Sequence, residues 1–310
     1  NGRNRFKFNS KFRIFVGRIG NYKIGNKNIA VGEHDEVVVG TKDLSYKDWL
    51  ECRQVDFLVK VYLDRAYFSE IFEFISHLGL SKFDLLLTVY EKFIRKNKKL
   101  NDLLNYYLSK VEEVLHDNLE DFDKFVSNEE NVQKYKNGQI GGNELTIGRA
   151  KMYTEALEEL HEVLEKSAEY YLSENNLGSF DNIEYIKEAI RFSYNRKFEF
   201  SNFTKKTKES FKFDFIKASN SNYKINPADI RLKNNKKEIE FYYSESALDD
   251  LQYAIKSFVY KGAKNDIFNI KKIDINKIKE NIPEGQLNYN LGKFFHQVNM
   301  SVLKRNFNYT

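Results

Sequence analysis

Two Glu-x-x-His spacings stand out among the residues able to do chemistry: Glu113 with His116, and Glu158 with His161. An acid and an imidazole three residues apart on a helix share one face, and such pairs supply ligands in di-iron carboxylate bundles. A complete site also needs a glutamate from each of two further helices. Glutamate is abundant in this chain, and His161 sits in Leu157-Glu158-Glu159-Leu160-His161-Glu162, which is mostly polar-face sequence. Both pairs are therefore read as solvated helix surface. Cys52 lies beside Trp49 and Arg53. Reactivity would require a neighbour that lowers the thiol pKa, and Arg53 is one, but a lone cysteine is ordinarily a small buried hydrophobe and is read so here. His34 falls among Glu33, Asp35 and Glu36; a divalent-ion corner is the sharper reading and a solvated acidic turn the preferred one. Gly138, Gly141 and Gly142 are no phosphate loop, because no strand precedes them and no Gly-Lys-Ser/Thr follows. No Ser/His/Asp arrangement is defensible. The residues alone assign no catalytic, cofactor-binding or metal-ligating position.

The composition bounds what such residues could serve. A chain of 310 residues allows about two units of ordinary size. Hydrophobic residues at 41% and aromatics at 15% supply a core and exclude disorder, in spite of 31% charged residues. No run of about 18 apolar residues occurs, so no membrane-spanning helix is expected. One cysteine excludes a disulfide framework and any cysteine-held zinc or iron–sulfur site built from this chain alone. The net charge of +5 is modest and spread over small clusters: Arg95 to Lys99, Lys205-Lys206, Lys233 to Lys237, Lys271-Lys272. These are read as solvated faces, which argues against a nucleic-acid partner. The start at Asn1, without a signal-like apolar stretch, reads as a cytoplasmic piece of something longer.

The elements that must position these residues divide the chain into a mostly α-helical α+β fold. Residues 1–44 are β-rich: Phe12 to Val16 alternates weakly, Glu36 to Val39 is a β-branched run, and Gly25 with Asn26 fits a tight turn. Residues 45–200 read as a helical bundle. Ser45 opens its first helix with Asp48 as capping partner. Further helices are expected over about 81–93, 100–126, 148–175 and 181–195, the last capped by Asp181. Within the bundle, residues 127–148 read as a glycine-rich loop. Residues 201–262 read as a small antiparallel β element plus one helix, with strands at Phe211 to Phe215, Ile230 to Leu232 and Ile239 to Tyr243, and a helix from Ser246 to Lys261. Residues 263–310 read as a polar tail with one weak helix near Ile275 to Ile282.

One stretch carries a resemblance. Phe12-Arg13-Ile14-Phe15-Val16 is followed by Gly20 and Tyr22, then by an acidic turn into Glu36-Val37-Val38-Val39. Next comes Gly40-Thr41-Lys42-Asp43-Leu44-Ser45-Tyr46-Lys47-Asp48-Trp49, then Arg53 and an aromatic–aliphatic helix ending near Tyr62. From Lys11 to Phe93 the chain resembles the region that follows the catalytic barrel in cobalamin-binding radical SAM proteins. The likeness is faint to about residue 220, where Glu184 to Phe192 and Phe211 to Phe215 sit at a helix and a strand of that family, and absent beyond. In the family a C-x-x-x-C-x-x-C triplet holds the 4Fe-4S cluster that reduces S-adenosylmethionine, and an N-terminal domain with Asp-x-His-x-x-Gly takes cobalamin. This chain has neither motif, so no catalytic residue carries over. The resemblance implies a C-terminal accessory region, inactive alone, packed on an upstream radical SAM barrel and shaping substrate access. It implies 4Fe-4S, S-adenosylmethionine and cobalamin only for the parent protein.

Thr41, Ser45, Trp49 and Arg53 are expected to be architectural: a strand end, a cap, a buried ring and a residue one turn further on the same side. The loop at 127–148 is the best candidate for a substrate-facing lid, against the simpler reading of a surface connection. The alternative function is an independent helical module binding a protein or nucleic acid through its lysines. The accessory-region reading expects apolar surface near the N-terminal strands; the module expects salt-dependent binding of a polyanion.

Overall fold

The computed structural model describes residues 2–136, 139–201, 203–233, 236–263 and 275–310, and only the backbone of 16–19, 21, 28 and 30. It shows a mostly α-helical α+β fold with small antiparallel sheets. After a short helix α1 (Gly2–Phe6), strands β1 (Asn9–Ile24) and β2 (Lys27–Gly40) form one long hairpin. The chain reverses at the expected Gly25-Asn26, with Gly25 at φ +61°, a conformation glycine adopts without steric cost.

The helical body follows. It comprises α2 (Tyr46–Leu58), α3 (Ser69–His77), α4 (Lys82–Thr88), α5 (Lys98–Glu112), α6 (Leu119–Val126) and α7 (Glu129–Lys136). It continues with α8 (Glu144–Glu155), α9 (Leu157–Glu174) and α10 (Phe180–Arg196). Ser45 and Asp48 make the expected capping box: the Ser45 hydroxyl accepts from the Asp48 amide, and the Asp48 carboxylate accepts from the Ser45 amide.

Several boundaries differ from the periodicity. The helix expected over about 100–126 breaks after Glu112, because His116 and Phe12 exchange backbone hydrogen bonds at 2.7 Å and tie the chain to the hairpin; Asn118 then caps α6. The helix expected over about 148–175 breaks at Ala156. Ser179, not Asp181, caps α10, and Asp181 instead pairs with Arg231 at 2.6 Å. The interval 127–148 holds α7 and the start of α8, which shortens the loop to the residues between Lys136 and Glu144; Gly138 lies outside the described residues.

Beyond α10 come β3 (Thr207–Phe211), α11 (Phe215–Asn220), β4 (Lys237–Tyr242), α12 (Glu245–Ala254), α13 (Ile275–Lys279), α14 (Glu284–Gln297) and β5 (Asn306–Tyr309). The second sheet runs β3-β4-β5. The alternation at Phe211, Phe213 and Phe215 reflects burial on one side rather than one strand. β3 ends at Phe211, Phe213 forms a lone bridge to Arg231, and Asp214 caps α11. All three rings still pack on α10: Phe192 lies 4.5 Å from Phe215 and 5.8 Å from Phe211, and Tyr185 lies 5.4 Å from Phe213. Ile230 to Leu232 contributes that bridge alone, and the third strand comes from the chain's end.

The described part of the stretch expected as a polar tail, residues 275–310, is part of the core. Leu287, Leu291, Phe294 and Phe295 of α14 are buried, and α14 packs along α8. The backbone after α2 takes a wide π turn (Val59–Leu63) and then left-handed φ values at Arg65 and Ala66, +56° and +55°. The cost of that conformation is offset locally. Arg65 donates to the carbonyls of Phe295, His296 and Val298, capping the end of α14, and the fully buried Arg149 joins Asp64 (2.6 Å) to Phe295 O (2.9 Å). Among the described residues no helix is long and apolar enough to cross a membrane.

Candidate docking surface

Alternation along the hairpin decides which side chains share a face. Gly20, Tyr22 and Ile24 pair with Val31, Ile29 and Lys27, so the six project to one side of the distal half. Tyr22 is 58% exposed, Ile24 64%, Ile29 40% and Val31 44%, and the Tyr22 ring lies over Gly20, where a Cβ would come within 2.9 Å of it. Nearer the body the hairpin is clamped from its other side. Ile14 packs with Phe122 and Val126 of α6, the His34 ring sits 5.9 Å from Phe12 and 5.6 Å from Phe122, and a Cβ on Gly32 would meet Val126 at 3.2 Å. Because Gly32 and Val31 alternate, the exposed patch lies on the face that α6 does not cover. Phe15, Phe6 and Phe8 are exposed as well. A contiguous exposed apolar face on a protruding ribbon is the usual mark of a surface covered by another protein element.

The junction between hairpin and body is built from the residues that carry the resemblance. The Thr41 hydroxyl accepts from the amides of Asp43 and Leu44, the Thr41 amide donates to the Leu44 carbonyl at 2.8 Å, and the capping box follows at once. Trp49 stacks on Tyr46 at 5.8 Å and is only half-buried against the core, less than its size led one to expect. Tyr46 Oη donates to Glu112 at 2.9 Å, tying the junction to α5. These side chains turn and fix the chain, as expected of architectural residues.

The residues flagged for chemistry do not converge. Glu113 caps the end of α5 and pairs with Lys110, whereas His116 lies beyond the helix, bridged to Phe12. Glu158 is exposed while His161 is buried, the reverse of a shared polar face. Cys52 is exposed rather than buried, and Arg53 is engaged with Asp56 at 2.9 Å. No group of three His, Cys, Asp or Glu suited to a metal ion occurs among the described residues. Gln139, Ile140, Gly141 and Gly142, from the expected lid, close with Tyr107 and Glu144 over a cavity of about 30 Å³. That volume holds about one or two water molecules.

The residues that sequence reasoning missed lie in the body. Glu70 and Lys197 are fully buried and 3.1 Å apart. Lys197 also donates to the Tyr67 carbonyl, while Arg196 (3.4 Å) and Lys304 (3.5 Å) face the same carboxylate. Burial alone would raise the Glu70 pKa, but Lys197, Lys304 and Arg196 together outweigh it and hold the carboxyl well below the usual range. His161 completes the group. Its Nδ1 donates to the Leu157 carbonyl at 2.8 Å, and its Nε2 lies 3.3 Å from Ser193 Oγ, which in turn donates to Glu70 at 3.2 Å. Burial, reinforced by the Lys197 charge, pushes its pKa down to about 3, so the imidazole is neutral. The members come from α3, α9, α10 and the C-terminal stretch, and no local spacing in the sequence signals their meeting. No family model and no curated protein matches this chain.

Proposed function

We propose that this chain is the C-terminal accessory region of a radical SAM enzyme of the cobalamin-binding kind, that it packs on the catalytic barrel through the hairpin, and that it shapes substrate access without a catalytic centre of its own. The observation that carries the reading is the apolar face formed by Tyr22, Ile24, Ile29 and Val31. It lies within the stretch that resembles the segment following such a barrel, and it is the apolar N-terminal surface that this reading expects. The residues here do not fit the parent's cofactors: a four-iron cluster with one open iron takes three thiolates, and Cys52 is the single cysteine. The cluster, S-adenosylmethionine and cobalamin are accordingly assigned to the upstream part.

The test is to read the coding sequence in frame upstream of Asn1. A C-x-x-x-C-x-x-C triplet there is the expected result. A start codon with no such triplet before it would overturn the reading and favour an independent binding module.

A further inference from the structure

Between β5 and the left-handed turn at Arg65-Ala66 the body opens into a cleft of about 440 Å³, lined by Arg65, Ser69, Arg196, Lys304, Arg305 and Asn306 among others, with no carboxylate among its lining residues. Two of these cations, Arg196 and Lys304, also face Glu70 beneath the cleft, which Lys197 contacts from within the core. Burial lowers the pKa of both Lys197 and Lys304, and the single Glu70 carboxylate opposes that shift, in surroundings where an uncompensated charge is costly. Arg196 is held in place. Its guanidinium lies 4.7 Å from the centre of the Phe307 ring and 5.7 Å from that of Phe192, and one terminal nitrogen donates to Tyr223 Oη at 2.6 Å. Its Nε is buried and makes no hydrogen bond. Arg65, Arg196, Lys304 and Arg305 line a cleft with no carboxylate among its lining residues, which suits a compact oxyanion.

We infer that this cleft binds a phosphate group, either free phosphate or the phosphoryl end of a small phosphomonoester, with Arg196 and Lys304 as the residues that supply the charge. A phosphate monoester carries close to two negative charges at neutral pH and presents three acceptor oxygens, which suits a cleft lined by several cations and no carboxylate. This inference stands apart from the docking of the hairpin, because none of the cleft's lining residues belongs to β1 or β2.

The test is thermal unfolding and titration calorimetry of the full chain with inorganic phosphate and with glycerol phosphate, against sodium chloride at equal ionic strength. Saturable binding is expected, with a melting midpoint that rises logarithmically once phosphate exceeds its Kd. Tighter binding of the ester would identify an organic ligand, and equal binding the free anion; both support the site. Arg196→Met is expected to weaken binding about tenfold or more, the loss of a charge-assisted contact. Since that substitution disturbs packing on Phe307, Ser301→Asp provides the second variant: Ser301 is exposed on the cleft wall, and a negative charge there should weaken phosphate binding without altering the ligand-free midpoint. Stabilisation no greater than that from chloride would overturn the inference, as would phosphate binding that neither substitution changes.

Discussion

At the scale of single residues, Glu70 and His161 set the chemistry of the interior. Glu70 answers three cations, so removing its charge should be worse than removing any one of them. Glu70→Gln leaves Lys197 buried without a counter-charge and is expected to cost about 3–5 kcal/mol. Lys197→Met leaves Glu70 with Arg196 and Lys304 and should cost clearly less; urea unfolding of the two variants decides, and a larger loss for Lys197→Met would contradict this account of the cluster. His161 gives the fold an acid limit. Its folded pKa of about 3 lies below the unfolded value near 6.5, so the unfolded chain takes up the proton first, and stability falls as the pH drops from about 6.5 towards 3. Glu70, also depressed, acts in the same direction: its contribution is complete above about 4.3 and is lost as the pH falls further. Between pH 6.5 and 4.5 the histidines act together, burial lowering His116 and His296 in the same direction as His161, with His161 alone contributing a slope approaching about 1.4 kcal/mol per pH unit. Substituting His161→Phe should flatten that slope in urea midpoints, and equal slopes in both proteins would show that the imidazole is not held neutral.

At the scale of elements, the hairpin's hydrophobic anchor to α6 is small. Ile14, Phe122 and Val126 form a buried cluster separate from the main core. Truncating a buried phenylalanine typically costs about 3–5 kcal/mol, but here the loss should stay local. In Phe122→Ala, amides of β1 and β2 are expected to exchange faster while those of α9 and α10 keep their protection. Loss of protection throughout would mean that the hairpin and body unfold as one unit. Local signals in the sequence predicted what local forces decide: the Gly25-Asn26 reversal, the Ser45–Asp48 capping box, and amphipathic stretches that fall on α5, α9 and α10. They failed where distant segments decide. His161 reads as polar surface because its partner inside the core, Ser193, lies on the distant α10. The C-terminal stretch reads as a tail because β5 gains its meaning only by pairing with β4, and α14 only by packing on α8. A half-buried Trp49 follows the same logic. Its ring is satisfied by its helix neighbour Tyr46, so Trp49→Ala should cost roughly 1–2 kcal/mol, less than a fully buried ring.

At the scale of the whole molecule, a body whose core runs from α2 to β5 carries one ribbon whose distal apolar face is left exposed by the described residues. The central claim is that this face seats the chain on a radical SAM barrel. Hydrogen exchange over Gly20 to Val31, in the chain alone and in the chain joined to the upstream barrel, measures that directly. The account predicts that amides at the distal end of the hairpin exchange readily in the chain alone and gain protection when the barrel is joined. Equal exchange in the two proteins would contradict it.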